Sequence, residues 1–422
     1  MKKVKVYFVV LDGAADRTIR QFNGKTPLEV AVTPNLDQLA SQGSLSYITV
    51  LSKGLVPESD SGAMALLGYS PDLYYCGRGA LEGLGLDIVS QYRYSASFRI
   101  NFASYDKENG LLERRTARDL SDFELQFLGK ELQKNIKLPI RYEMIVFGRY
   151  RGIISFLSNE IALSGNVSNT DPGFERKGYF GVPVSNYNPI PQTCRPLEKT
   201  SAAYTTAKLV NLFSHYAACL LENHELNRER KQNGKLPANY ILFRDGGSVC
   251  MNLPSFFDKY GMNLKMYGQL PAERGLAKLI QADFFYTQAF ELQLDADYLS
   301  NIAGVMSLDG ADVSFIHLKG PDEPGHDHNP IKKKEAIEKI DQYFFKELLC
   351  CKKSDDIVVV TCDHATPCEL GIHSADRVPL LFSGKYWRGN LDYRFTERCA
   401  KEGTCKVETA DTILDYLKNY IR

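Results

Sequence analysis

Four short stretches of the chain are apolar at almost every position: Val6–Leu11, Tyr240–Phe243, Val313–His317 and Ile357–Thr361. Unbroken β-branched and aromatic runs of this length predict strands buried on both faces of a parallel sheet, because a strand with one wet face alternates instead. Each run stops at polar, acidic or glycine-containing residues: Asp12-Gly13, Arg244-Asp245-Gly246, Lys319-Gly320 and Asp363-His364. Ligands of open α/β sheets gather at the carboxyl ends of strands, so these breaks are where chemistry is expected. A helix is predicted from Thr33 to Gly43. Thr33-Pro34 opens it, and Leu36 and Leu39 fall on one face.

The middle of the chain has another rhythm. Tyr92, Tyr94, Ala96, Phe98 and Ile100 alternate with more polar positions, which predicts half-exposed strands. The stretch from Asn166 to Cys194 is rich in Asn, Pro and Gly and reads as loop. Ser201 to Gln232 reads as one long helix, apolar first and charged at its end. This change of pattern predicts a domain inserted at 89–235 into a core made of 1–88 and 236–422. The sequence shows no internal repeat and no low-complexity segment.

Length agrees with two domains, since 422 residues exceed the roughly 250–300 at which single cores stop growing. Lys plus Arg and Asp plus Glu number 51 each, so no net charge points to nucleic acid or a membrane surface as partner. No apolar run approaches the roughly 18 residues a spanning helix needs. The basic opening Met1-Lys2-Lys3 leads into an apolar run too short for a signal sequence. The ten cysteines lack paired spacing, and Cys362 and Cys368 read as structural thiols. A cytoplasmic protein with reduced thiols is expected. The oligomeric state is not legible.

Candidate chemistry concentrates in the histidines. Of seven, five lie between His317 and His373. Four of these fall in His317-Leu318-Lys319-Gly320-Pro321-Asp322 with His326 after it, in Asp363-His364, and in His373-Ser374-Ala375-Asp376. Imidazole with carboxylate suits divalent ions such as Zn²⁺ or Mn²⁺, and Asp322 and His326 are one helical turn apart. A lone Asp-His pair in a loop is ordinary. The ordered set is not: Asp12 after the first strand, the serines of Glu58-Ser59-Asp60-Ser61, then Asp322, His326, Asp363, His364 and His373. It suggests metal-assisted transfer to a hydroxyl, with Ser59 and Ser61 equal candidates on chemistry alone. No Gly-x-x-x-x-Gly-Lys-Ser loop and no Cys-x-Pro-Ser-Arg segment occurs, which argues against a P-loop kinase and a sulfatase.

This order resembles the alkaline phosphatase superfamily, and within it the archaeal-type 2,3-bisphosphoglycerate-independent phosphoglycerate mutases. The resemblance runs through Thr33–Asp37, Leu66–Pro71, Gly77–Glu82, Phe98–Ala103, Glu113–Arg118, His317–His326 and Asp363–Cys368. It implies an α/β fold, a three-layer core with a mainly parallel sheet and an inserted smaller α+β domain. It implies one metal held by Asp322, His326 and His373, and a second by Asp12, Ser59, Asp363 and His364. Ser59 becomes the favoured nucleophile, although Glu58 stands where the family has Gly. Lys319 would neutralise a transferring phosphoryl group. Arg99, Arg115 and Arg118 would bind the substrate's anionic groups, and Asp16 and Asp60 would orient ligands. The implied cofactors are two divalent ions, Mn²⁺ foremost with Zn²⁺ or Co²⁺ as alternatives, and no 2,3-bisphosphoglycerate. The implied partner is a small molecule, phosphoglycerate, with the inserted domain closing water out of the reaction. The runner-up is a relative on the same scaffold with another acceptor, homoserine-kinase-like or a phosphomonoesterase.

Overall fold

The structure, a computed structural model, describes residues 4–52, 54–184, 186–249, 253–286, 295–308 and 310–421. The basic opening Met1–Lys3 lies outside these residues. The chain divides into two compact units: 1–75 with 253–269 and 277–422, and 76–252 with 270–276.

The first unit is built on a seven-stranded sheet in the spatial order Asp283–Tyr286, Leu264–Gly268, Val313–Leu318, Val6–Leu11, Ile357–Thr361, Val378–Ser383 and Gly43–Ile48. The first five run parallel, and Val378–Ser383 pairs antiparallel to both its neighbours. Val6–Leu11, Val313–Leu318 and Ile357–Thr361 are buried at every position, as their unbroken apolar character requires when layers cover both faces. Register then fixes the chemistry. Leu11 lies opposite Leu318, and Val10 opposite Thr361. Asp12, Lys319 and Asp363, each just past a strand end, therefore emerge at nearly one level.

The second unit carries an antiparallel sheet centred on Tyr94–Asp106, which pairs with Arg151–Ser158, with Leu111–Glu113 and with Tyr240–Gly247. Arg141–Phe147 extends it at the edge. Two expectations are corrected here. Tyr240–Gly247 is a strand of this sheet and not of the core sheet: it hydrogen-bonds antiparallel to Tyr94–Asp106, and its apolar run reflects two covered faces rather than a parallel neighbourhood. The compact unit that holds it comprises 76–252 and 270–276, a wider span than the insertion expected at 89–235. Tyr94–Asp106 is not half-exposed, since Ala96 to Tyr105 is buried except at its last residue. On one face Phe98, Phe156 and Phe243 interlock with Phe213, their rings 5.7–6.4 Å apart, beneath the helices Asp122–Asn135 and Ser201–Glu222. Such pairs contribute about 0.5–1.5 kcal/mol each beyond the area they bury. On the other face Ser97 and Ser155 join hydroxyls at 2.7 Å under the helix Arg78–Gly85. Ser97 and Ser155 are thus small residues under a closely packed helix rather than solvent-facing positions.

The long helix is two. It ends at Glu222, and Glu225–Gln232 restarts with His224 as cap, its Nδ1 accepting from the Leu226 amide at 3.2 Å. Asn227 seals the break by donating to the carbonyls of Leu221 and Ala238 at 2.8 and 3.0 Å.

Glycine makes the close packing of Arg78–Gly85 possible. A Cβ on Gly79 would press on the Ser97 carbonyl and fall 2.7 Å from the Asp245 carbonyl, neither of which can yield. Gly79→Ala should therefore cost about 1–3 kcal/mol in urea unfolding, in the manner of an overpacked core. Gly304→Ala, on a helix with open space at that point, should be neutral or mildly stabilising. Equal behaviour of the two variants would contradict this packing.

Candidate active site

Three strand ends and three loops bring the candidates of the first unit together. Ser59 is the first residue of the buried helix Ser59–Leu66. Its hydroxyl donates to Asp12 Oδ1 at 3.2 Å and lies 3.4 Å from His364 Nε2. Ser61 is turned away: its hydroxyl donates to the Glu58 carbonyl and accepts from the Glu58 amide, closing a capping box. Glu58 has φ −99° and ψ 163°, extended backbone open to any residue, so the loop does not demand glycine there.

Two groups of donors stand side by side, Asp12 with Asp363 and His364, and Asp322 with His326 and His373. His364 Nε2 is 3.2 Å from Asp363 Oδ2 and 3.5 Å from Asp12 Oδ1. His326 Nε2 and His373 Nε2 face each other at 3.1 Å, each 3.4 Å from an oxygen of Asp322. The far nitrogen of each ring explains this aim. His326 Nδ1 donates to the Gly371 carbonyl at 2.9 Å and His373 Nδ1 to the Pro57 carbonyl at 3.1 Å. Thr366 spends its hydroxyl proton on Asp322 Oδ1 at 2.6 Å and so accepts from His364 Nδ1 at 3.0 Å. With every Nδ1 engaged in this way, three Nε2 atoms point at carboxylates, an arrangement that calls for positive charge between them, a proton or a bound cation.

The electrostatics agree. Burial opposes ionisation of Asp12, yet Lys319, His317 and His364 hold it well below the usual carboxylate range. Burial and the charge of Asp12 work against Asp322, yet His326 and His373 hold it far down too. Burial alone would lower His373, but Glu58 and Asp322 raise it to about 10. Asp363 Oδ2 is buried and takes no hydrogen bond from any described residue. Oxygen and imidazole donors of this kind fit divalent cations of the Mn²⁺ or Zn²⁺ type.

Other groups close around the site. Lys319 Nζ is 3.3 Å from Asp12 Oδ1. His317, fully buried, is 3.2 Å from Asp363 Oδ2 and 3.4 Å from Asp12 Oδ1, a position its motif did not assign. Asp16 accepts from the buried Lys333 at 2.9 Å, and Lys333 also donates to the carbonyls of Ala15 and Thr366, joining the loop after Asp12 to the loop after His364. Lys333 sits in a triple-lysine run that looks like surface. Its spacing to the buried Ala336, Ile337 and Ile340 is the available signal that it faces inward. Asp60 accepts from the Tyr75 hydroxyl at 2.7 Å. Cys362 and Cys368 are buried thiols whose pKa values burial raises, Cys368 to about 12.

The arginines divide. Arg115 and Arg118 line a cavity of about 440 Å³ in the second unit with Glu113, Arg114 and Tyr187. Arg114 is held bidentate by the fully buried Asp171. Thr116 and Arg118 adopt left-handed φ values of 41° and 58°, strained for such residues. Burial and the neighbouring Arg118, Arg114 and Arg151 disfavour the charge on Arg115 although Tyr150 favours it, which marks a place short of negative charge. Arg99 does not line this cavity. It is buried between Glu82, at 3.3 Å, and Asp245, at 3.8 Å, in a network that also holds Arg78 and Arg244.

The comparisons with known proteins agree. Residues 40–227 match the family model described as 2,3-bisphosphoglycerate-independent phosphoglycerate mutase. Over 411 residues, 95% of each chain, the sequence is 35% identical to an Aeropyrum pernix protein of that name. It is 31% identical over 417 residues to the Thermococcus kodakarensis one, covering 98% of this chain and 96% of the other. Among solved structures, one from Pyrococcus horikoshii superposes with a TM-score of 0.79 at 25% identity, covering 100% and 98% of the two chains. The cofactor-independent phosphoglycerate mutase of Thermoplasma acidophilum superposes at 0.63, also at 25% identity, covering 99% and 100%.

Stripped with chelator and titrated with Mn²⁺, the protein should take up two ions per chain by elemental analysis. Asp322→Asn should remove one of them and Asp363→Asn the other. Failure of the unaltered chain to bind at millimolar Mn²⁺ would refute the assignment.

Proposed function

The chain belongs to the 2,3-bisphosphoglycerate-independent phosphoglycerate mutase family, and from that premise we propose that it interconverts 3-phosphoglycerate and 2-phosphoglycerate through a phosphoserine on Ser59. The observation that carries this reading is the Ser59 hydroxyl itself, buried, at a helix N-terminus and directed at Asp12 and His364 of one donor group. Asp322, His326 and His373 would hold one divalent ion, and Asp12, Ser59, Asp363 and His364 the other, with Mn²⁺ the native choice. Bound there, the ions supply charge against the phosphoryl oxygens and ease loss of the serine proton.

Ser59 Oγ attacks phosphorus, and the bond to the glycerate oxygen breaks as the serine ester forms. The glycerate's other hydroxyl then attacks the same phosphorus and frees Ser59. No step needs a phosphorylated cofactor, so 2,3-bisphosphoglycerate is not required. Asp12 orients the hydroxyl, and the Ser59 side chain lies where the amides of its helix favour negative charge. Lys319, beside Asp12, offsets charge on the group in transit. Arg115 and Arg118 supply the forked donors that suit a carboxylate or a phosphate, and their crowded positive charge favours an anionic guest. Arg99, enclosed by two carboxylates, acts through that network and holds the fold of the anion-binding unit.

An enolase-coupled assay starting from 3-phosphoglycerate, without bisphosphoglycerate, tests the reaction. The protein should form 2-phosphoglycerate, lose activity in excess chelator and regain it with Mn²⁺ or Co²⁺. Release of inorganic phosphate in place of 2-phosphoglycerate would identify a phosphomonoesterase. Ser59→Ala should reduce turnover to background with the fold intact, and Ser61→Ala should stay within a few-fold of the unaltered enzyme. Arg118→Ala should raise KM by about 10–100-fold, the scale of a charge-assisted hydrogen bond of about 1.5–3 kcal/mol. An unchanged KM would remove Arg118 from the substrate's contacts.

A further inference from the structure

His328 lies two residues past the proposed ligand His326 and has a left-handed backbone, φ 55°. Histidine enters that region more readily than most residues, but an exposed turn gives no reason of its own to use it instead of glycine. The side chain supplies one. His328 Nδ1 donates to the Cys368 carbonyl at 2.7 Å. Its ring also lies against Gly371, so closely that a Cβ there, at φ 65°, would collide with it. Two residues earlier, His326 Nδ1 donates to the Gly371 carbonyl. Two imidazoles from one short segment therefore hold both ends of the turn Cys368–Gly371. Two residues beyond that turn is His373, whose Nε2 must meet His326 Nε2 around one ion.

We propose that His328 is a positioning residue for the Asp322–His326–His373 cation site. It fixes the loop that delivers His373, while touching none of the three donors in that role. The inference rests on the two-ion reading above. The other site draws its donors from strand ends and from Ser59, and does not depend on this turn. Groups that orient ligands typically change metal affinity by about 10–100-fold when removed.

The test is Mn²⁺ titration of the stripped full-length protein by calorimetry, with His328→Gly and His328→Asn. Glycine relieves the backbone, so any loss reports the missing imidazole and not strain. Asparagine tolerates the left-handed region and places an amide nitrogen where Nδ1 stands. In His328→Gly one of the two binding steps should weaken about tenfold or more and the other stay unchanged. His328→Asn should recover most of that loss. In the metal-free protein, amide exchange at 369–373 should rise in His328→Gly and return toward normal in His328→Asn. Unaltered binding in His328→Gly, or equal weakening of both steps, would overturn the proposal. A wild-type chain with fewer than two sites would instead bring down the two-ion reading.

Discussion

Asp12 and Asp363 stand together at the carboxyl ends of adjacent parallel strands, almost wholly removed from water, and that juxtaposition governs the rest of the site. Two desolvated carboxylates so placed are strongly unfavourable unless positive charge lies between them. The surroundings meet that demand from several directions. Lys319 and His317 approach from the neighbouring strand, and His364 from the same loop. Even so, Asp363 Oδ2 has no hydrogen bond among the described residues. A carboxylate oxygen kept dry and unsatisfied is costly in a structural role but suited to a metal ligand.

The register of the central sheet makes this arrangement possible, and the strands it aligns were legible in advance. Val6–Leu11, Val313–His317 and Ile357–Thr361 each announce a doubly covered strand, and the acidic residues after them announce a site. The same logic misread Tyr240–Phe243. A run of four apolar residues states that both faces are covered and says nothing about which sheet supplies the neighbours. Only pairing to Tyr94–Asp106 places it. Likewise Ser97 and Ser155 look wet in sequence, but glycines on the opposing helix let small hydroxyl residues serve as packing.

Charged residues were the harder problem, because a sequence gives their charge and not their company. Arg99, Arg115 and Arg118 look alike along the chain. In the fold Arg99 is spoken for by Glu82 and Asp245, whereas Arg115 and Arg118 share a cavity with little to neutralise them. Lys333, in a run of three lysines, is the fully buried one, and its partner Asp16 is 317 residues distant. Pairs so remote in sequence are invisible to local pattern, although helical periodicity already set Lys333 on the inward face.

Thr366 shows how the two donor groups become one unit. Its hydroxyl gives its proton to Asp322 of one group and takes a hydrogen bond from His364 of the other. The direction of each bond dictates the next: Asp322 can only accept, so Thr366 must donate to it, so His364 must carry its proton on Nδ1. The Nε2 lone pair is thereby aimed at Asp12, Asp363 and Ser59 without any contact from solvent. A single threonine thus ties the protonation of a histidine in one group to the orientation of a carboxylate in the other. The hydroxyl of Ser59 meets Asp12 and His364, donors whose aim is already set by this chain of bonds.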